Sequence, residues 1–477
     1  MDGNLSISTQ DNKSETEELL SGADDKEKNV SPIHVRVEIT SGEPQCRVLH
    51  KVPPQVREQK KHIYDPVVLS LGPYHHGQPQ FQHVEKFKGE VLGIMLDSKD
   101  KDLLLNKIRS RVDEIRNFYG DSSSAQESDD EALAEIMLRD GCFVLYYMEI
   151  CSGDEDKDVY ISRRLGLSEV AFMFRDFFML ENQIPLWLIK LLFTLIHGNE
   201  EWEAFLSTFL SHMKFGEERM TSIPWKYKEE EPLHLLEAHR TTLVGGESFS
   251  RIGLVTTTTT TTKTHQCGIH KFFRWGWKKS LCPSTSLFKT VNSQFRSVTD
   301  LKGKGIRFGP SSECLRDIKF NSYLLYGKLE LPIWFVTNNS KVFFSNLIAL
   351  EMSPETNTDF SVISYINFMK SLIAEAKDVK ELREKDILFS SLANDEEVVT
   401  MFKEMDTYGM DNISIFQDVR ERIDKHCDSR GKTWKAELIH TYFRSPWTAI
   451  ALFAATFLLS LTFIQTLYTM NPAKKED

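Results

Sequence analysis

Residues 70–77 read SLGPYHHG, which sets His75 and His76 side by side between Gly72 and Gly77. Imidazoles titrate near neutrality and serve as metal ligands or general bases. Glu181, in MLENQIP, adds a carboxylate in apolar surroundings, the setting that turns a glutamate into a general base. Adjacent histidines diverge by about 100° on a helix and point to opposite faces of a strand, so both reach one ligand only from a specially shaped loop. His83 and Glu85 lie close by, but at no fixed metal-ligand spacing. His265, Cys267, His270 and Cys282 carry the right atoms for zinc, again without a zinc spacing. HExxH, GxSxG and Walker patterns are absent, and KGKGIRFG around Gly303 and Gly305 lacks the third glycine of a dinucleotide fingerprint.

These residues therefore assign no catalytic, cofactor-binding or metal site. Glu181 is expected to be satisfied by backbone N–H groups of its own turn. SLGPYHHG is expected to be a shaped turn in which Pro66 and Pro73 fix φ and Gly72 and Gly77 permit the bend. Tyr74 and the histidines hydrogen-bond across it, and it presents a helix that begins near Val84.

The elements that hold this turn read as helices. Val84, Phe87, Val91, Met95 and Leu96 recur at helical spacing, and Leu103–Phe118 behaves in the same way. GDSSSAQESDDE reads as an exposed loop. EALAEIMLRDGCFVLYYMEI follows as an apolar-faced helix in which Gly141 admits a neighbouring backbone. DFFMLENQIPLWLIKLLFTLI is interrupted by Asp176, Glu181, Asn182, Gln183 and Lys190 and broken by Pro185, so it reads as central core and not as a membrane span. Asn182 and Gln183 are placed to close the turn before the proline. FSVISYINFMKSLI reads as a buried helix, and ISIFQDVRERIDKHC as one with a narrow stripe through Ile415, Val419 and Ile423. IHVRVEIT alternates like a short strand. The fold class is thus mainly α, a large helical body with minor β elements.

Composition bounds the remainder. The 477 residues are 41% hydrophobic and 27% charged with 31 Phe, enough for a substantial core. A net charge of -11 provides no global field for phosphate backbones, so no nucleic-acid partner is expected. Seven scattered cysteines without a CxxC pair argue for reduced thiols. Residues 1–32 carry eight acidic and three basic side chains and no aromatic, the composition of a disordered tail, and contain no signal-peptide run. The helical domain is expected over 33–445. Within it, 244–285 forms an insert: a threonine run read as a surface linker, then Phe272, Phe273, Trp275 and Trp277 interleaved with Lys271, Arg274, Lys278 and Lys279. That interleaving suits an anionic membrane surface or base stacking, with packing of the aromatics on the body as the plainer reading.

From Trp447 to Met470 the chain runs 24 residues without a charge. As a helix this segment is about 36 Å long against a hydrocarbon core of about 30 Å. It therefore reads as a transmembrane helix over 446–470, with the lipid bilayer as partner for residues 447–470, followed by a short tail at 471–477: a tail-anchored, single-pass arrangement. Its hydroxyls are expected to bond carbonyls one turn back. Arg430, Lys432, Lys435 and Arg444 precede the span and only Lys474 and Lys475 follow it, which favours a cytosolic body. Sequons at Asn4, Asn12, Asn338 and Asn412 would report the opposite orientation if glycosylated.

Taken in order, VLHKVPPQVR, YDPVVLSLGPYHHG, GCFVLYYME, MLENQIPLWLIKLLF, FSNLIALE, VISYINFMKSLI, NDEEVVTMF and YFRSPWTAIALFAATFLLSLTFIQTLYTM resemble a plant family known as domain of unknown function 247, or UPF0481. The opening stretch looks like that family's SIGPxHHG block. The resemblance implies a largely helical body, one C-terminal transmembrane helix, a plasma-membrane or endomembrane location in a plant cell, and no assigned enzymatic activity. Some relatives are associated with self-incompatibility in grasses, which implies recognition or signalling. The threonine run and the Trp-rich piece depart from the family pattern, so nothing is carried over for them. The leading expectation is a non-enzymatic membrane protein whose helical body binds another protein. The rivals are a membrane-tethered enzyme using His75, His76 and Glu181, and a structural membrane protein of fixed stoichiometry.

Overall fold

A computed structural model of the chain describes residues 47–120, 124–198, 201–215, 231–245, 296–311, 314–354, 356, 358–428 and 446–470. IHVRVEIT, the 1–32 tail and the zinc-type set at 265–282 lie outside these residues, as does nearly all of the 244–285 insert.

Every element described in the N-terminal half is a helix, in chain order α1 (Pro54–Gln59), α2 (Lys61–Tyr64), α3 (Gln82–Met95), α4 (Ser98–Arg109), α5 (Val112–Tyr119), α6 (Ser124–Glu127), α7 (Asp130–Cys151), α8 (Glu155–Leu165), α9 (Leu167–Asp176), α10 (Leu186–His197), α11 (Trp202–Phe215) and α12 (Leu235–Val244). Several start on the side-chain caps their sequences supply. Asp97 accepts from the Asp100 N–H at 2.9 Å, Asp129 from Ala132 at 2.7 Å and Asp154 from Lys157 at 3.1 Å, each satisfying one of the orphan donors of a helix start. Pro185 supplies the entry to α10, as a residue with fixed φ and no N–H to lose.

The second half continues with α13 (Val298–Gly303), β1 (Ile306–Pro310), β2 (Lys319–Ser322), β3 (Gly327–Leu331), β4 (Trp334–Val336), α14 (Ser340–Glu351), α15 (Ser361–Leu372), α16 (Ala376–Glu384), β5 (Leu388–Ser390), α17 (Asp395–Glu404), α18 (Gln417–Asp428) and α19 (Pro446–Met470). One sheet has the order β1-β3-β2, with β1 parallel and β2 antiparallel to β3, and a second pairs β4 with β5 in parallel. The 246–295 interval separates α12 from α13, yet the chain returns to α12 after β1, where Leu315 N–H donates to Leu243 O at 2.8 Å.

α7 is the axis of the core. It packs against α3, α4, α10 and α11, and Phe143, Val144, Leu145 and Met148 have no exposed surface. Gly141 permits the closest of these approaches, because a Cβ there would overlap the buried Leu192 side chain of α10. The 176–196 segment is central core, as its pattern requires: Phe177, Met179, Leu186, Leu188, Ile189 and Leu192 are fully buried. α15 is buried on most sides, and the stripe of α18 runs through Val419 and Ile423.

Three expectations need correction. Leu103–Phe118 is two helices, α4 and α5, broken at Ser110–Arg111. GDSSSAQESDDE is not simply an exposed loop, for Ala125 is fully buried and α6 is tied down by Arg116, which donates to Ala125 O and, at 2.9 Å, to Ser128 O. The β1–β3 sheet went unread, although Leu329 and Leu331 alternate with Lys328 and Glu330 in the buried-then-half-buried rhythm of a strand.

Candidate functional site

The stretch from Val67 to Gly72 belongs to no helix or sheet, so its backbone N–H groups need other acceptors. Buried side chains provide them. Asp176, at the end of α9, takes three consecutive donors on Oδ2: Val67 at 2.9 Å, Val68 at 2.7 Å and Leu69 at 3.0 Å. Asn182 accepts from Leu71 N–H at 2.7 Å and returns its amide to Leu69 O and Asp176 O, both at 2.9 Å. Asp140 of α7 accepts from Gly72 N–H at 2.8 Å. Lys88 of α3, with no exposed surface, donates to the other Asp140 oxygen at 2.7 Å, to Glu85 at 2.5 Å and to Ser70 O.

The turn itself is shaped by glycine, as expected. Gly72 has φ +70° and Gly77 φ +80°, but Tyr74 does not bond across the bend: its hydroxyl donates out of the turn, to Leu49 O at 3.3 Å and Tyr119 O at 3.0 Å. Its role in presenting a helix also stands, with α3 opening at Gln82. Gly72 is irreplaceable on two counts: its positive φ, and the Tyr119 hydroxyl occupying the space a Cβ would need while that hydroxyl donates to Gln183 O at 2.9 Å. Gly72→Ala is expected to destabilise the protein by about 1–3 kcal/mol, read as a lowered unfolding midpoint in urea.

The histidines part company. His76 faces Glu85, with Nδ1 to Oε2 at 3.9 Å, on the side where Arg139 and Lys88 also meet that carboxylate. His75 is 4% exposed and meets Gln78 at 3.4 Å; its charged neighbours are Arg57, Asp65 and Lys51. Glu181 faces the same group. Its Oε1 accepts from Val52 N–H at 2.8 Å, its Oε2 pairs with Arg57 at 3.1 Å, and Arg57 binds Asp65 at 2.7 Å. The expectation that Glu181 is satisfied by its own turn is therefore wrong. Val52, 129 positions upstream, and Arg57 of α1 hold it, because its side chain reaches out of the loop towards α1. The amides next to it do behave locally: Gln183 donates to Phe177 O at 2.8 Å and Met179 O at 2.9 Å.

Burial dominates the ionisation of the site. It pushes Asp176 and Glu181 up, against the backbone N–H groups on Asp176 and the Arg57 charge beside Glu181. It also pushes Asp140 up, against Lys88. It lowers His75 to about 4, helped by Arg57, and lowers His234, the cap of α12, to about 4. For these rings the sign is fixed. A histidine kept neutral in the fold stabilises above its ordinary value of 6.5, and that contribution is lost as pH falls from 6.5 towards about 4, with a ceiling of about 3 kcal/mol each. The raised carboxyls act oppositely. Urea unfolding of the parent and of the His75→Asn/His234→Asn variant is therefore expected to show a shallower loss of stability on acidification for the variant.

A cavity of about 10 Å³ lies between Arg47, His50, His234 and Glu237, room for one water at most. Among the described residues, no group of three or more His, Cys, Asp or Glu side chains is placed to hold a metal ion. The arrangement that is present fixes a backbone: every oxygen of Glu181 and Asp140 is engaged, and so is Asp176 Oδ2.

The profile of a plant protein family of unknown function, domain of unknown function 247, matches residues 49–461. The chain belongs to that family. An Arabidopsis thaliana UPF0481 protein is 27% identical over 441 residues, covering 90% of this chain and 87% of the relative. A second UPF0481 relative from the same plant is 22% identical over 482 residues, covering 84% and 86%. No solved structure matches. Within the family's span, sequence reasoning overlooked Lys88, Asp140 and Asn346. Their signal was a charged or amide side chain on the apolar face of a helix.

Proposed function

We propose that this family member is a membrane-anchored protein of the plant cell, with its helical body in the cytosol, and that it acts in recognition or signalling by binding another protein. One observation carries the reading. α19 is a 25-residue helix whose Ile450–Leu467 stretch has a mean hydropathy of 2.0 and is 0% buried, whereas the apolar helix of a soluble core is covered by its neighbours. The described hydroxyls of this helix are internally satisfied, for example Ser460 to Thr456 O and Thr466 to Thr462 O both at 2.8 Å, as a hydrocarbon setting demands. The body supports binding over catalysis because its buried polar groups hold backbone in place.

The experiment is proximity labelling of the full-length protein in its own tissue, with a chain cut at Ser445 as control. A set of neighbours captured by the full chain and lost on truncation is the expected result; identical sets from both would overturn it. Extraction in alkaline carbonate tests the anchor separately, because an integral protein stays with the vesicles. For orientation, Asn338 is the informative sequon: it is exposed, whereas the Asn412 amide is engaged with Asp359 O at 2.9 Å. A glycosidase-sensitive mass shift would place the body in a lumen.

The enzymatic alternative uses His75, His76 and Glu181, of which His75 and Glu181 share Arg57 as a neighbour while His76 turns to Glu85. Glu181 is only 2% exposed and fully engaged, which weighs against a general base.

A further inference from the structure

The β2–β3 hairpin ends in Tyr323, Leu324, Leu325 and Tyr326, and the first three are 46%, 75% and 53% exposed. Other exposed apolar side chains, such as Ile94, Leu103 and Leu167, stand singly on helix surfaces, which is ordinary. A run of adjacent ones at the apex of a hairpin is not. Nor is the apex loose. Tyr323 N–H donates to Tyr326 O at 2.8 Å, the two tyrosine rings lie 4.9 Å apart, and the Arg307 guanidinium covers Tyr326 at 4.3 Å with no described carboxylate paired to it. Phe320 and Leu329, at the base, are buried. The hairpin is thus held firmly while its apolar apex points outward.

Its position follows from α18. Arg422 donates to Phe320 O at 3.2 Å, and one helical turn later His426 meets Ser322 Oγ at 2.8 Å. Strand and helix therefore run in the same direction, and the apex lies at the carboxyl end of α18, the end from which the chain leaves for α19. The 17 intervening residues, 429–445, span at most about 60 Å when extended. They contribute Arg430, Lys432, Lys435 and Arg444 against Glu437 alone, a balance that favours an anionic membrane surface on this side of the body. Tyrosine is the side chain that settles at the headgroup layer, and leucine the one that enters beneath it.

We infer that the Tyr323–Tyr326 apex dips into the interface of the bilayer that α19 crosses, giving the body a second point of attachment and a fixed attitude to the membrane. This rests on the membrane reading above. The test uses the full chain in vesicles of phosphatidylcholine and phosphatidylserine, with an environment-sensitive fluorophore on Leu324→Cys, on Ser460→Cys in the span, or on Leu167→Cys on α9. Each is read against the unsubstituted chain carried through the same labelling. The expected result is a blue-shifted emission, lost for the most part when doxyl-labelled lipid is included, for the labels at 324 and 460 and not for that at 167. Quenching at 460 without quenching at 324 overturns the inference and leaves the anchor standing. Absence of quenching at 460 overturns the anchor itself. A blue shift at 324 that doxyl lipid does not quench means that protein, a second copy or another partner, covers the apex, and a quenched label at 167 means unspecific adsorption; either one overturns the inference.

Discussion

Replacing Asp176 by leucine is expected to leave the protein with little or no stable fold. Three backbone N–H groups, those of Val67, Val68 and Leu69, lose their acceptor at one stroke; Leu69 and Asp176 are fully buried, Val68 is half-buried and Val67 is exposed. At about 1–3 kcal/mol for a fully stranded donor, and less for the two that water can reach, a total of about 3–6 kcal/mol is a large part of a typical folding free energy of about 5–15 kcal/mol. Asp176→Asn separates acceptor from charge. It keeps an oxygen for the three donors and removes a charge that burial already disfavours, so a cost near 1 kcal/mol is expected. Urea unfolding of the full chain in detergent, followed by tryptophan fluorescence, measures both. A leucine variant within about 0.5 kcal/mol of the parent would show that this irregular stretch does not depend on Asp176.

The second large effect is expected at Lys88. Its ammonium and the Asp140 carboxylate are 0% and 1% exposed, and neither charge is tolerable there alone. Lys88→Met is expected to cost about 3–5 kcal/mol, because Asp140 keeps the Gly72 N–H but loses its counter-charge. Adding Asp140→Asn to Lys88→Met removes the stranded charge while retaining the bond to Gly72, and is expected to recover part of the loss, with a coupling of about 1–3 kcal/mol across the double-mutant cycle. Strict additivity would mean that the two groups do not sense each other.

Much of the helical body is legible in the sequence because it follows from local pattern. Apolar spacing places α3, α7, α10 and α15, Pro185 opens α10, and Gly72 with Gly77 marks the turn. The partners of the polar residues are not legible, since they lie far away along the chain. Asp176 holds residues 107 to 109 positions upstream, and Asn346 links Ile63 O at 3.0 Å with Leu180 N–H at 2.9 Å. Periodicity says that Asp140 and Lys88 sit on apolar faces, but not that each is there for the other. The same distance defeated the local reading of Glu181. The three-stranded sheet was missed for a different reason: its strands are four or five residues long, too short for alternation to stand out from neighbouring helices.

The bond between Leu243 and Leu315 has an evolutionary corollary. It fastens the chain on either side of the 246–295 interval, so the body is tied shut whatever the length of what lies between. Doubling the length of a tether closed in this way costs only about 0.6 kcal/mol in entropy. Lengthening or shortening of the threonine tract in the course of evolution is thus expected to be nearly neutral for the folding of the body.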